Sequence, residues 1–342
     1  MWGYQQEKSE ILGMKKIMNN RKKKFEKFCN ETYVPIYSQP WWLDIICGEN
    51  NWDVWLYEKG EEILAAMPYF LQKRGEYNYI TKAPLTQNNG IIFKHNNKRK
   101  LCTRAEFEEK VISAACEFIE SLNIDVYEQQ YMYTFKNWLP FFWKKYSAIT
   151  RYTYVIENTF NLDEVWNNIS SNYRNKIKKG SKNCFIEQDV DKEQFYKEHE
   201  KIFLKQNLEC PFSKKLWFDL YEECKERNSG MTLVAKNEDN VIQSVLFLVW
   251  DDKSVYQILG GNIPEYQKQD TYAFLIWNGI QISSNMGKIY DFEGSVIPRI
   301  SKSFREFGGE PKPYFRIRKV FNPEIIKQES NKMIEELEMN KI

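Results

Sequence analysis

MTLVAKNEDNVIQSVLFLVWDDKSVYQIL, running from Met231 to Leu259, decides the fold of this chain. Three apolar runs, Met231–Lys236, Val241–Trp250 and Ser254–Leu259, are separated by Asn237-Glu238-Asp239-Asn240 and Asp251-Asp252-Lys253. Asn and Asp tolerate the backbone conformations of tight turns, so the spacing predicts an antiparallel meander. Downstream, Tyr266 to Ser284 places Tyr272, Ile276, Gly279 and Ile280 on one side of a helix. Lys288–Phe292 reads as a buried strand, Pro298–Phe307 as a short helix and Tyr314–Val320 as a last strand. A meander followed by helix, strand, helix and strand predicts an α/β domain with a mixed sheet.

Working upstream, this second domain is expected over residues 149–322. It opens with a strand at Thr150–Ile156, two helices within Leu162–Asn183, a strand at Cys184–Gln188, and helices at Lys192–Gln206 and Lys214–Arg227. Residues 30–148 repeat the outline as a first domain. Trp52–Tyr57, Glu62–Leu71 and Tyr77–Thr81 read as strands, and Pro84-Leu85-Thr86-Gln87-Asn88-Asn89-Gly90 as a polar loop. Arg104–Leu122 reads as a helix whose buried face holds Phe107, Val111, Ala114, Ala115, Phe118 and Leu122, followed by a strand at Ile124–Gln129. Residues 1–29 are basic and read as an N-terminal extension, a solvated helical tail or a contact with an anionic surface. Residues 323–342 read as a C-terminal amphipathic helix of low tertiary importance.

Composition narrows the function classes. Hydrophobic residues are 42% of 342, enough for two packed cores. Lys plus Arg (49) nearly cancel Asp plus Glu (47), which argues against a dedicated nucleic-acid coat protein but leaves room for a local basic site. Seven cysteines, an odd number with no CxxC pair, suit free thiols in a reducing cytoplasm. With His95 and His199 the only histidines, no His-rich metal centre is expected. No run approaches the ~20 apolar residues of a membrane span, and no signal-like apolar segment opens the chain. A cytoplasmic protein is expected, with a peripheral membrane contact still compatible.

Tyr290-Asp291-Phe292-Glu293-Gly294-Ser295 followed by Phe304-Arg305-Glu306-Phe307-Gly308-Gly309 resembles the GNAT-like domain of the Fem-type (FemAB) peptidyltransferases and related acetyltransferases. Ser38-Gln39-Pro40-Trp41-Trp42, the Pro84–Gly90 loop and the basic stretch Tyr173-Arg174-Asn175-Lys176-Ile177-Lys178-Lys179-Gly180 resemble the same group. The resemblance covers roughly residues 33–320 and implies tandem GNAT-like (acyl-CoA N-acyltransferase-like) domains. It also implies an activity: Fem-type enzymes move an amino acid from aminoacyl-tRNA to an amine of a peptidoglycan precursor. Two lysines of the family pattern are missing. Trp42-Leu43-Asp44-Ile45-Ile46 carries none, and before the terminal Phe-Gly the nearest match is Arg305, with Lys302 one turn away.

The residues themselves suggest roles. Asp291 and Glu293 sit two apart at a strand end, so alternation would point both to one face, where either could accept a proton from an incoming ammonium. Arg305, or Lys302, could stabilise an oxyanion or the donor's phosphate-ribose end. Arg174, Lys178 and Lys182 lie at i, i+4 and i+8 with no acid nearby, a phosphate-binding pattern in which Arg174 is the first choice and Lys178 the second. Trp42, Thr86 and Gln87 are expected along the acceptor cleft. His199, amid Lys197-Glu198-His199-Glu200-Lys201, is expected in solvent. The stretch Gly261 to Asp270 lacks the paired glycines that cradle the pyrophosphate of acetyl-CoA in ordinary GNAT enzymes.

The expected function is acyl or aminoacyl transfer to an amine of a cell-envelope precursor, an amino sugar or a peptide, borne by a nucleotide-sugar or lipid-linked carrier. No tightly bound cofactor or metal is expected, the donor being aminoacyl-tRNA or acyl-CoA. Charged tRNA is then a partner and DNA is not. An acetyl-CoA-dependent N-acetyltransferase with a degenerate loop, and a non-catalytic binding protein on the same fold, are the alternatives.

Overall fold

A computed structural model describes residues 18–95, 100–205 and 207–339. The chain divides into two compact units, one made of Met1–Thr150 with Tyr314–Ile342 and the other of Arg151–Pro313.

In the first unit, β1 (Trp52–Lys59), β2 (Glu62–Arg74) and β3 (Tyr77–Thr81) form the expected antiparallel meander. Helix α3 (Leu101–Ser121) crosses to β5 (Val126–Gln130), which lies parallel to β3, and a short strand β4 (Ile92–Phe93) pairs with β2. Parallel neighbours need such a crossover. The core contains Val111, Ile112, Ala115, Cys116 and Ile119 of α3. The buried stripe is therefore rotated from the expected one, with Phe107, Phe118 and Leu122 at its margin. A five-residue helix α4 (Leu139–Trp143), not anticipated from the sequence, buries Pro140 and Phe141.

The basic N-terminal segment is not a solvated tail where it is described. Residues 18–31 form helix α1, which precedes α2 (Pro40–Cys47); Phe25 and Phe28 of α1 are buried and its Arg21 pairs with the buried Asp53. Lys15 and Lys16 lie outside the described residues. At the other end, α11 (Pro323–Met339) is tied in by buried Ile325 and by an Arg318–Glu329 ion pair at 2.5 Å, so it is less peripheral than its sequence suggests.

In the second unit, β8 (Gly230–Lys236), β9 (Ile242–Trp250) and β10 (Ser254–Asn262) are antiparallel. Helix α9 (Thr271–Asn285) then crosses to the three-residue β11 (Ile289–Asp291), parallel to β10. A last helix, α10 (Pro298–Glu306), follows. The stretch before the meander supplies α5 (Leu162–Asn168), α6 (Ser171–Asn183), β7 (Phe185–Gln188, on the edge beside β8), α7 (Lys192–Leu204) and α8 (Lys214–Glu226). All nine residues of β9 are buried, which explains its unbroken apolar run. Leu246, Leu248 and Trp250 join the cluster that includes Leu275, Ile276 and Ile280 of α9. Phe247 meets Trp217 of α8 edge-on at 4.8 Å and Phe195 of α7 at 6.3 Å.

Each unit completes its sheet with a strand from a distant part of the chain. In the first, β12 (Glu310–Val320) pairs antiparallel with β5 through Arg316–Val320. In the second, Val155 and Ile156 of β6 (Ser147–Ile156) pair antiparallel with β11. A cut near residue 150 would therefore strip β5 of its neighbour and leave an open sheet edge.

His199 is a correction. It is 3% exposed, its ring stacked between Phe195 (5.9 Å) and Phe212 (5.7 Å), with Nδ1 unpartnered among the described residues. The flanking charges hide an i, i+4 pairing with Phe195 that turns the imidazole inward. Burial pushes its pKa down to about 4. The unfolded chain then binds a proton that the folded chain refuses, so this stability is present above pH ~6.5 and is lost as pH falls toward 4. Wild type should lose about 2–3 kcal/mol relative to His199→Phe between pH 7.5 and 4.5, read from urea midpoints. Parallel pH profiles of the two proteins would refute this.

Candidate functional site

In the second unit β10 outruns its parallel neighbour. Its pairing with β11 ends at Tyr256↔Asp291, while its pairing with β9 continues to Asn262, interrupted by a register shift between Gln257 and Leu259. From Gln257 onward β10 pairs only with β9, so its other edge offers backbone groups to a ligand. Gln257 is fixed there by two tyrosines: Tyr290 Oη donates to its Oε1 at 2.8 Å, and its Nε2 donates to Tyr272 Oη at 3.0 Å. Gly260 admits the Tyr272 hydroxyl, since a Cβ there would lie 2.8 Å from that oxygen.

Around the end of β10 several buried polar atoms lack partners. Gln243 Oε1, Ser244 Oγ, Asn262 Oδ1 and Thr271 Oγ1 are all unsatisfied among the described residues. Ser244 is the register partner of Asn262, and the Ile263 amide donates to the Gln243 carbonyl at 2.9 Å. Each such atom costs about 1–3 kcal/mol if left bare, so each calls for a polar partner of its own, Gln243 and Ser244 on opposite faces of the sheet. Between Asn262 and α9, Pro264–Gln269 is a tight 3-10 turn and Asp270 is left-handed, with φ +60°.

Asp291 closes β11. Its carboxylate is 5% exposed, and Oδ1 accepts from Thr153 Oγ1 at 2.5 Å and from the Glu293 amide at 2.8 Å. No described residue donates to Oδ2. Burial raises its pKa to about 6, against the opposing pull of the two hydrogen bonds. Glu293 does not share its face by strand alternation, because the strand has ended and Glu293 stands at φ +67°. Its amide, rather than its carboxylate, is what the structure brings to Asp291.

The basic helix α6 is placed by Gly180, where a Cβ would lie 2.7 Å from the Asp270 carbonyl oxygen of the turn before α9. Lys179, which the i, i+4 pattern left out, reaches Asp270 Oδ2 at 2.8 Å and the Lys268 carbonyl at 2.5 Å. Arg174 is engaged otherwise than expected. Its Nη1 donates to the carbonyls of Trp166 (3.3 Å), Asn167 (3.0 Å) and Ile169 (2.9 Å) at the end of α5. A cation there also suits the negative end of a helix. Arg174→Ala is expected to destabilise the protein by about 1–3 kcal/mol, read by thermal denaturation; an unchanged Tm would remove this capping role. Lys178 is exposed, its Nζ 6.0 Å from the Trp166 ring.

On α10, Phe304 is buried while Ser301 and Ser303 meet Tyr154 Oη at 2.6 Å and Tyr173 Oη at 2.8 Å. The opposite face carries Arg299, Lys302 and Arg305, all exposed and without an ion pair among the described residues. No contact joins them to Asp291. In the first unit Trp42 and Thr86 are brought together: the indole Nε1 donates to Thr86 Oγ1 at 3.0 Å, and both residues are buried. They anchor the Pro84–Gly90 loop rather than line an open cleft, while Gln87 is half-buried. Thr153, Gln257 and Tyr272 were missed in the sequence. Thr153 lies 138 residues from Asp291, and nothing local marks it.

No metal-holding group of His, Cys, Asp and Glu occurs among the described residues, and no described helix is long and apolar enough to cross a membrane. No family model and no curated protein matches the sequence. Solved structures do. FemX superposes with a TM-score of 0.63 at 12% identity, over 86% of this chain and 94% of FemX. The C-terminal domain of a protein assigned as a lysylphosphatidylglycerol synthetase from Agrobacterium fabrum gives 0.51 at 11%, over 80% and 89%. L-PGS from Bacillus licheniformis gives 0.50 at 8%, over 78% and 83%. Identities this low speak for the fold alone, and on that ground the chain has a mixed α/β fold like that of FemX.

Proposed function

We infer that the chain is an acyltransferase that moves an acyl or aminoacyl group onto an amine of a cell-envelope precursor in the cytoplasm. One observation carries the reading: a buried carboxylate, Asp291, with an unengaged oxygen and a pKa raised to about 6, stands where β10 and β11 part. Amine acylation needs a base, because an ammonium has no lone pair to attack with. Asp291 Oδ2 takes a proton from the ammonium. The freed nitrogen adds to the carbonyl carbon of the donor, an ester in aminoacyl-tRNA or a thioester in acyl-CoA. Collapse breaks the C–O or C–S bond, and the leaving oxygen or sulfur departs with the nitrogen's second proton. Donors along the free edge of β10 suit the oxyanion. Arg305 and Lys302, unpaired on the solvent face of α10, suit donor phosphates, and Lys178 extends this basic character on α6. Glu293 holds Asp291 through its amide. Gln87, half-buried on the loop anchored by Trp42 and Thr86, is assigned to the acceptor side.

An acetyl-CoA donor is the second reading, favoured by the N-terminus of α9 directly after the turn that follows β10, a position suited to a phosphate. Intact-mass analysis of product decides between them, after incubation with a charged tRNA pool or with acetyl-CoA and amino-sugar nucleotides. An aminoacyl increment abolished by ribonuclease supports the first reading. An acetyl increment that survives ribonuclease supports the second. No increment from either donor refutes both.

A further inference from the structure

Residues 129–156 contain no Asp or Glu, four Lys or Arg, and ten aromatics. Elsewhere in the chain acids and bases are nearly balanced, so the segment is compositionally apart. Helix α4 lies inside it and is turned partly outward. Pro140 and Phe141 reach the core, while Leu139 is 48% exposed, Phe142 56% and Trp143 56%. Trp138 packs edge-on against Phe142 at 5.6 Å and at 6.1 Å from Phe315, which ties the exposed rings to the body of the unit. Lysines frame the apolar tip: Lys136 before it, Lys144 and Lys145 after it. Lys144 is held by Glu117 at 3.1 Å, whereas Lys136 and Lys145 are exposed with no ion pair among the described residues.

Three large apolar side chains on one five-residue helix are an unusual thing to leave in water. Tryptophan and phenylalanine ringed by lysine is the pattern that settles at the boundary between acyl chains and anionic headgroups. The rings enter the boundary layer and the ammonium groups stay with the phosphates. We propose that α4 and its flanking lysines form a docking surface that seats the first unit on an anionic lipid bilayer. At the rim Glu117 is neutralised by Lys144, which leaves Lys136 and Lys145 as the uncompensated charge, the sign that an anionic surface attracts.

The test is co-sedimentation of the full chain with vesicles of phosphatidylcholine containing phosphatidylglycerol, and with phosphatidylcholine alone. Wild type should bind the anionic vesicles and lose binding as salt is raised. Phe142→Ser/Trp143→Ser and Lys136→Glu/Lys145→Glu should each weaken binding at least about tenfold with Tm unchanged. If the aromatic pair fails to fold, the lysine pair decides alone. Absence of wild-type binding overturns the proposal. So does undiminished binding by the variants, which would place membrane affinity elsewhere on the chain. Concentration-dependent dimers that the aromatic variant dissolves, without lipid binding, would make the patch a contact between copies instead.

Discussion

Asp291→Asn is expected to lower the rate of amine acylation by about 10²–10⁴-fold while leaving the protein more stable than wild type at neutral pH. The two effects share one cause. Burial raises the carboxyl from 3.8 to about 6, so at pH 7 the folded state holds a charge it disfavours. The penalty is about 1–3 kcal/mol, since each tenfold change in a protonation equilibrium is worth ~1.4 kcal/mol. Asparagine keeps an Oδ1 acceptor for Thr153 and the Glu293 amide and carries no charge. The sign follows from proton binding. With its folded pKa raised, Asp291 favours the folded state below pH ~4, and that contribution is lost as pH rises through 6. Stability of Asp291→Asn relative to wild type should therefore grow between pH 4 and 7. The wild-type rate should rise through pH ~6 as the base ionises. An active Asp291→Asn protein would make Asp291 a strand-end fixture and remove the base from the mechanism. A variant less stable at pH 7 would show that the carboxylate is not strained.

His199 and Asp291 titrate across the same window in opposite senses, and both belong to the second unit. Between pH 4 and 6 the contributions of these two groups to wild-type stability therefore nearly cancel. Each single variant uncovers the slope of the other group, so the two profiles test one another.

The meander, the helix after it and the strand that follows were legible in each half because turn chemistry and apolar periodicity are local, whereas the parallel pairing of that strand was not. The apolar run Val245–Trp250 was legible as part of a strand, and its burial on both faces is what the structure adds. Asp291 was legible as a strand-end acid, but its partner was not. Thr153 arrives through the pairing of β6 with β11, and strand pairing between distant segments leaves no local trace. The same holds for β12 beside β5. Arg174 and Lys179 show the limit of face arguments. Both lie on a basic helix, yet one is taken by the carbonyls ending α5 and the other by Asp270, because the neighbours of a helix decide which face is outside. Gly180 was the available clue, since glycine inside a helix signals close packing. His199 was misplaced for a related reason: charge density along the chain outweighed the single i, i+4 contact with Phe195.

Gly294→Ala should be the most damaging single methyl in the candidate site. Gly294 has φ +69°, and a Cβ would stand 2.3 Å from the Tyr152 carbonyl oxygen and 2.9 Å from Thr153 Cα. Both atoms belong to the backbone of β6, so no side chain can swing aside. The left-handed conformation costs alanine about 1 kcal/mol, and displacing a paired strand adds about 1–3 kcal/mol more. Gly60 is the internal reference. It has φ +65° with nothing within 4 Å of an added Cβ, so Gly60→Ala should show the conformational cost alone. A Gly294→Ala loss two to four times that of Gly60→Ala, in urea denaturation, is the expected result. The same shift moves Thr153, whose hydroxyl holds Asp291 Oδ1. The surviving folded fraction should therefore be slower in kcat, with its acidic pKa displaced, a change that loss of stability alone would not produce. Equal costs at the two glycines would mean that the loop after β11 yields freely, and a base held by so yielding a loop could not be kept in register for proton transfer.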